Sequence, residues 1–133
     1  MSYTRDNKRY RYDFHDYLRD NGTEVTVSQQ TAAATDIVHT VTAGKTLYLD
    51  SWTMSIKCSS GATGGQVGLL GVRDALDAFQ FFLDRFESAT IDINVANSGC
   101  FPTLLTITAG WDIYTYSSNA NVEVYGFIHG WEI

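Results

Sequence analysis

Two stretches decide how this chain is read: Val41-Thr-Ala-Gly-Lys-Thr-Leu-Tyr-Leu-Asp-Ser51 and Ile107-Thr-Ala-Gly-Trp-Asp-Ile-Tyr-Thr-Tyr-Ser117. Each runs apolar residue, Thr-Ala-Gly, two variable positions, apolar residue, Tyr. Gly44 and Gly110 can take the positive φ of a tight turn, after which apolar side chains re-enter a core on alternate positions. The pattern predicts one hairpin used twice, placed similarly in two Greek-key halves.

Outward from these stretches, the chain beyond Gly22 alternates short β-type runs with Gly, Asn and Ser punctuation. Candidate strands are Glu24–Gln29, Asp36–Thr42, Thr46–Cys58, Gln66–Val72, Ala78–Phe86, Thr90–Ala96, Leu104–Thr108, Trp111–Ser117 and Val122–Trp131. The apolar phase changes between Leu49 and Trp52, which predicts a bulge or a strand that crosses between sheets. Residues 75–83 have helix-forming propensity, but their aromatic content favours a strand. The fold expected is all-β, a jelly-roll-like antiparallel β-sandwich spanning 23–133, preceded by an N-terminal arm over 1–22.

The arm differs from the body in composition. Of 9 basic and 15 acidic residues, five and four fall in residues 1–20, so the remainder holds four and eleven, a net charge of −7. Such a body repels phosphates, and Lys45, Lys57, Arg73 and Arg85 form no cluster, so no nucleic-acid partner is expected. Tyr10, Phe14, Tyr17 and Leu18 follow the spacing of an amphipathic helix from Asp6 to Gly22, while Tyr10, Tyr12 and Phe14 alternate as in a strand. The periodicity fits both. Tyr10, Tyr12, Phe14 and Tyr17 beside Arg9 and Arg11 make up a composition enriched in protein contacts. An arm folded back on its own sandwich is the alternative.

A length of 133 residues suits one domain with a real core. With 44% apolar residues interleaved with polar ones, and no apolar run near the ~20 residues that cross a bilayer, a soluble domain is expected, with neither a signal segment nor membrane insertion. Cys58 and Cys100 lack the paired spacing of a zinc site; two free thiols are the simpler expectation, with a bridge left open.

Catalytic patterns fail for want of partners. His15, His39 and His129 are scattered and match no metal-binding spacing. Ser59-Ser60 and Ser117-Ser118 lie in turn clusters, and Gly61-Ala-Thr-Gly-Gly65 lacks the ending of a phosphate loop. Asp74, Asp77, Asp84, Glu87 and Asp92 could offer oxygen ligands to Ca²⁺, yet follow no EF-hand pattern, so solvated edges and loops are the simpler assignment. No enzyme, metal or cofactor is expected. Trp52 reads as core, whereas Trp111 and Trp131 are candidates for a subunit interface or for an aromatic platform that stacks on glycan rings.

The two Thr-Ala-Gly stretches and the ending Val124-Tyr-Gly-Phe-Ile-His-Gly-Trp-Glu-Ile133 resemble small virion proteins of tailed bacteriophages, jelly-roll modules used as head decoration, head-fibre or tail components. Similar proteins often carry Pro where Thr42 and Thr108 stand, so the likeness is to a pattern of turns and strands. The resemblance implies a virion location, a homo-oligomer with a trimer favoured, and an arm that engages the major capsid protein, another virion protein or a neighbouring subunit. It lends no catalytic residues.

Overall fold

The computed structural model describes residues 13–59, 66–88 and 93–133. They form one helix, α1 (Phe14–Asn21), and eight strands: β1 (Thr23–Ala32), β2 (Thr35–Thr40), β3 (Leu47–Cys58), β4 (Gln66–Arg73), β5 (Phe79–Ser88), β6 (Ile93–Ile107), β7 (Asp112–Ser117) and β8 (Val122–Glu132). Two four-stranded antiparallel sheets are ordered β1-β8-β3-β6 and β2-β7-β4-β5. The architecture is the expected all-β sandwich of jelly-roll type. Advancing every strand by four positions turns the first order into β5-β4-β7-β2, the second sheet read backwards, so the two halves are related by strand order.

Alternation explains the core. On β8 the inward positions Val122, Val124 and Ile128 are buried, as are Leu47, Leu49, Met54 and Ile56 on β3 and Leu70, Val72 and Ile113 from the opposite sheet. Burying an aliphatic side chain of this size stabilises the fold by about 1.5–3 kcal/mol each relative to exposure.

The repeated stretches are corrected in one respect. They are not hairpins, because β2 and β3 lie in different sheets, as do β6 and β7. Each is an arch that carries the chain across the sandwich. Gly44 (φ 79) and Gly110 (φ 82) hold equivalent turns, closed by Lys45 N–H to Thr42 O at 3.0 Å and Trp111 N–H to Thr108 O at 3.1 Å. Val41 and Ile107 enter the core before the turn, Leu47 and Ile113 after it. Period-two patterning specifies which side chains point inward but not which strands pair, and an arch buries the same alternating positions as a hairpin.

A second correction concerns Thr90–Ala96 and Leu104–Thr108, whose described parts up to Ile107 belong to one strand, β6. Asn97-Ser98-Gly99 and Pro102 resemble turn punctuation, but β6 is an edge strand, where Pro is tolerated. Gly99 lies against Trp52: a Cβ there would meet the indole at 2.8 Å, so the glycine makes room for a ring. The phase change near Leu49 is a bulge. Opposite β8 the register steps from Leu49–Gly130 to Ser51–His129 and leaves Asp50 as the extra residue, while β6 steps from Leu105 to Cys100. Strand β3 remains in one sheet throughout. Residues 75–83 contain no helix; a turn around Ala75 and Leu76 leads into β5.

Candidate functional site

Helix α1 begins where the sequence caps it. The Asp13 carboxylate accepts from Asp16 N–H at 3.0 Å, and Asp16 accepts from Asp13 N–H at 3.1 Å, a reciprocal capping box. Arg19 pairs with Asp16 in the last turn. Leu18 is wholly buried, while Phe14 and Tyr17 stay exposed and stack together at 6.0 Å. The Phe14 ring also meets Tyr48 of β3 edge-on at 4.8 Å. Tyr10, Tyr12, Arg9 and Arg11 lie outside the described residues, as do the expected helix start at Asp6, the Gly61–Gly65 stretch and Asp92.

The Asp50 bulge gathers groups that are far apart in sequence. One Asp50 oxygen lies 3.4 Å from His15 Nε2 on α1, and the other 3.2 Å from His129 Nδ1 on β8. Across the sheet, His129 Nε2 lies 2.8 Å from Glu24 Oε2 of β1. Carboxylate oxygens only accept, so His129 donates to both at once only when both ring nitrogens carry protons. Trp131 packs edge-on against His129 at 4.8 Å and His15 at 5.9 Å. The cluster fastens α1 to the sheet. Linear spacing hides it, because it follows from the β3–β8 register and from the residue inserted at Asp50.

His39 belongs to a separate site. Its Nε2 is 2.6 Å from Glu132 Oε2, which also accepts from Thr42 N–H at 3.0 Å. Burial pushes the Glu132 carboxyl up, but the hydrogen bonds from Thr42 and His39 outweigh it and hold the group below its ordinary value. Among the described residues, no group of three or more His, Cys, Asp and Glu side chains is arranged to hold a metal ion. Asp74 accepts from the N–H groups of Leu76 and Ala78, Asp77 pairs with Arg73, and Glu87 pairs with Arg85. Cys58 is buried, which pushes its thiol up, and Cys100 is exposed; both are free.

Trp111 packs against the core, and Trp131 is buried. The exposed aromatic surface lies elsewhere. On the outer face of the first sheet, Tyr125 and Phe127 flank a groove of about 500 Å³. On the second sheet, the edge strand β5 exposes Phe79 (50%) and Phe82 (45%), whose rings meet at 4.5 Å, and Leu76 in the preceding turn is 89% exposed. Alternation alone did not single out these outward aromatics, because β5 slips register beside Gln80 and again beside Leu83. No described helix is long and apolar enough to cross a membrane.

No family model matches the sequence, and no curated protein matches it. Among solved structures the chain is similar to a pentameric capsid protein isolated from metagenomic phage sequences, at a TM-score of 0.43 and 15% identity over 80% of this chain. It is also similar to the subunit of Bacillus endospore appendages, described as a novel family of disulfide-linked pili, at 0.37 and 13% over 84% of this chain and 88% of that one. A second structure of a pentameric phage capsid protein gives 0.37 and 14% over 80% of this chain. The chain spans 58% and 60% of those two capsid-protein chains.

Proposed function

We propose that this protein is a non-enzymatic structural subunit of a virus particle, a capsid decoration or fibre/tail component that oligomerises through its β-sandwich and docks through its N-terminal arm. The observation that carries self-association is the β5 edge. Phe79 and Phe82 on the edge strand β5, and Leu76 in the turn before it, present apolar side chains to solvent beside an edge that no described strand pairs with, a surface that a second copy would cover. Two register slips interrupt β5, so its contact with a neighbour is made by side chains in preference to a continued ladder. The resemblance of the Thr-Ala-Gly stretches and the C-terminal strand to small virion proteins of tailed phages supports the virion as the setting.

A trimer is the oligomer we favour, with the major capsid protein or another virion protein as the arm's partner. Phe14 and Tyr17 are the aromatic residues of the described arm that stand exposed to it. Hydroxyl-radical footprinting over a range of protein concentrations tests the edge directly. Oxidation of Phe79 and Phe82 should fall as concentration rises, while that of Tyr17 should stay constant in the absence of a docking partner. Oxidation of both phenylalanines that is independent of concentration would contradict assembly through β5.

A further inference from the structure

The outer face of the β1-β8-β3-β6 sheet has a chemistry that assembly through β5 does not use. Outward positions on β8 carry Tyr125 (42% exposed) and Phe127 (37%). The register sets Tyr125 between Gln30 of β1 and Ser55 of β3, and Phe127 between Ser28 and Thr53. Two aromatic rings are therefore bordered on both sides by short hydroxyl and amide side chains. The groove of about 500 Å³ runs over these residues towards β1, and a second of about 260 Å³ shares Tyr125 and Ser55 and continues past Lys57 to Asn94 of β6. Together they cross four strands, a length of about 14 Å at the usual inter-strand spacing.

The Tyr125 ring is held in place. Its hydroxyl donates to Glu123 Oε1 at 2.9 Å, and Gln30 Nε2 donates to the same oxygen at 3.3 Å. A ring fixed in advance loses little freedom when a ligand stacks on it. No charged side chain lines the larger groove, and Lys57, which lines the smaller one, lies opposite Glu123 across the strands, so the two signs offset and nothing there selects an ionic ligand.

We infer that this face binds a neutral polysaccharide, with Tyr125 and Phe127 stacking on sugar rings and Ser28, Gln30, Thr53 and Ser55 hydrogen-bonding to the sugar hydroxyls. A sugar hydroxyl is both donor and acceptor, and Ser, Thr and Gln side chains offer both roles. The C–H face of a pyranose is the apolar surface that an aromatic ring covers, and a groove of this volume is of ligand-binding size. This inference does not depend on the assembly proposal, because the two surfaces lie on different sheets.

Native electrophoresis of the full chain through gels containing dextran, mannan or galactan, with a heparin gel as the anionic comparison, tests the assignment. At least one neutral polysaccharide should retard the protein and heparin should not. Tyr125→Ala and Phe127→Ala should each weaken that retardation about tenfold or more, with an unchanged melting temperature because both side chains are exposed. Free migration in all three neutral gels would overturn the assignment, as would retardation that both variants retain or retardation by heparin. A change in solution mass on either substitution would make the face an interface between copies and would equally overturn it.

Discussion

Gly110 N–H donates to the carbonyl of Val41 at 2.9 Å, and Val41 N–H donates to the carbonyl of Trp111 at 2.9 Å. The entry of the first arch thus rests on the turn of the second. Both arches connect the sheets, so their turns set how one sheet is placed over the other.

Gly44→Ala and Gly110→Ala should each cost about 1–2 kcal/mol of stability, because an L side chain is strained at positive φ. A Cβ at Gly44 meets nothing within 4 Å and one at Gly110 makes an ordinary contact with Ala75 at 3.6 Å, so the cost is conformational at both. Urea denaturation measures it, and Asn at either position should recover part of the loss. Neutral alanine variants would contradict the strained-turn account.

Glu132 makes stability depend on acid. Burial acts to raise its carboxyl pKa, but the bonds from Thr42 and His39 leave it lowered in the folded state. The folded protein therefore binds this proton less readily than the unfolded chain. The stabilisation is present above the unfolded value and is lost as pH falls through the folded one. Denaturation midpoints taken from about pH 6 to pH 3 should decline, and Glu132→Gln should flatten that decline while lowering stability near neutrality by about 1–3 kcal/mol.

Leu18 is the buried anchor of α1. Leu18→Ala should release the helix locally, since truncating a buried leucine costs about 2–5 kcal/mol and α1 packs only at the sandwich periphery. Hydrogen exchange is the readout: the amides of residues 17–22 should lose protection by about tenfold or more, while those of β3 and β8 keep theirs. Equal loss throughout would show that α1 and the sandwich unfold as one unit.

Much of the sandwich was legible because β-strand alternation reports burial directly. Val122, Val124 and Ile128 illustrate this, as do the matched positions Val41 and Ile107 before the turns and Leu47 and Ile113 after them. Pairing was less legible. An arch and a hairpin share one inward pattern, and Gly99 reads as a turn although it serves the Trp52 ring. The histidine–carboxylate cluster was hidden for a related reason: it depends on the residue inserted at Asp50, which decides what faces His129. Alternation along β8 sets Tyr125 outward beside the buried Val124, whereas the register slips of β5 leave Phe82 without a linear signal that separates it from the core-packed Phe81.

Multi-angle light scattering of the full chain, beside a Phe79→Ser/Phe82→Ser double variant, tests assembly through the sandwich most directly. The mass of the wild-type protein should rise with concentration towards three times the 14.8 kDa of one chain, and the double variant should stay at one chain with its fold intact by circular dichroism. Another closed multiple would keep the assembly and correct its number. A wild-type mass of 14.8 kDa at every concentration, or an oligomer unmoved by the double substitution, would contradict assembly through β5.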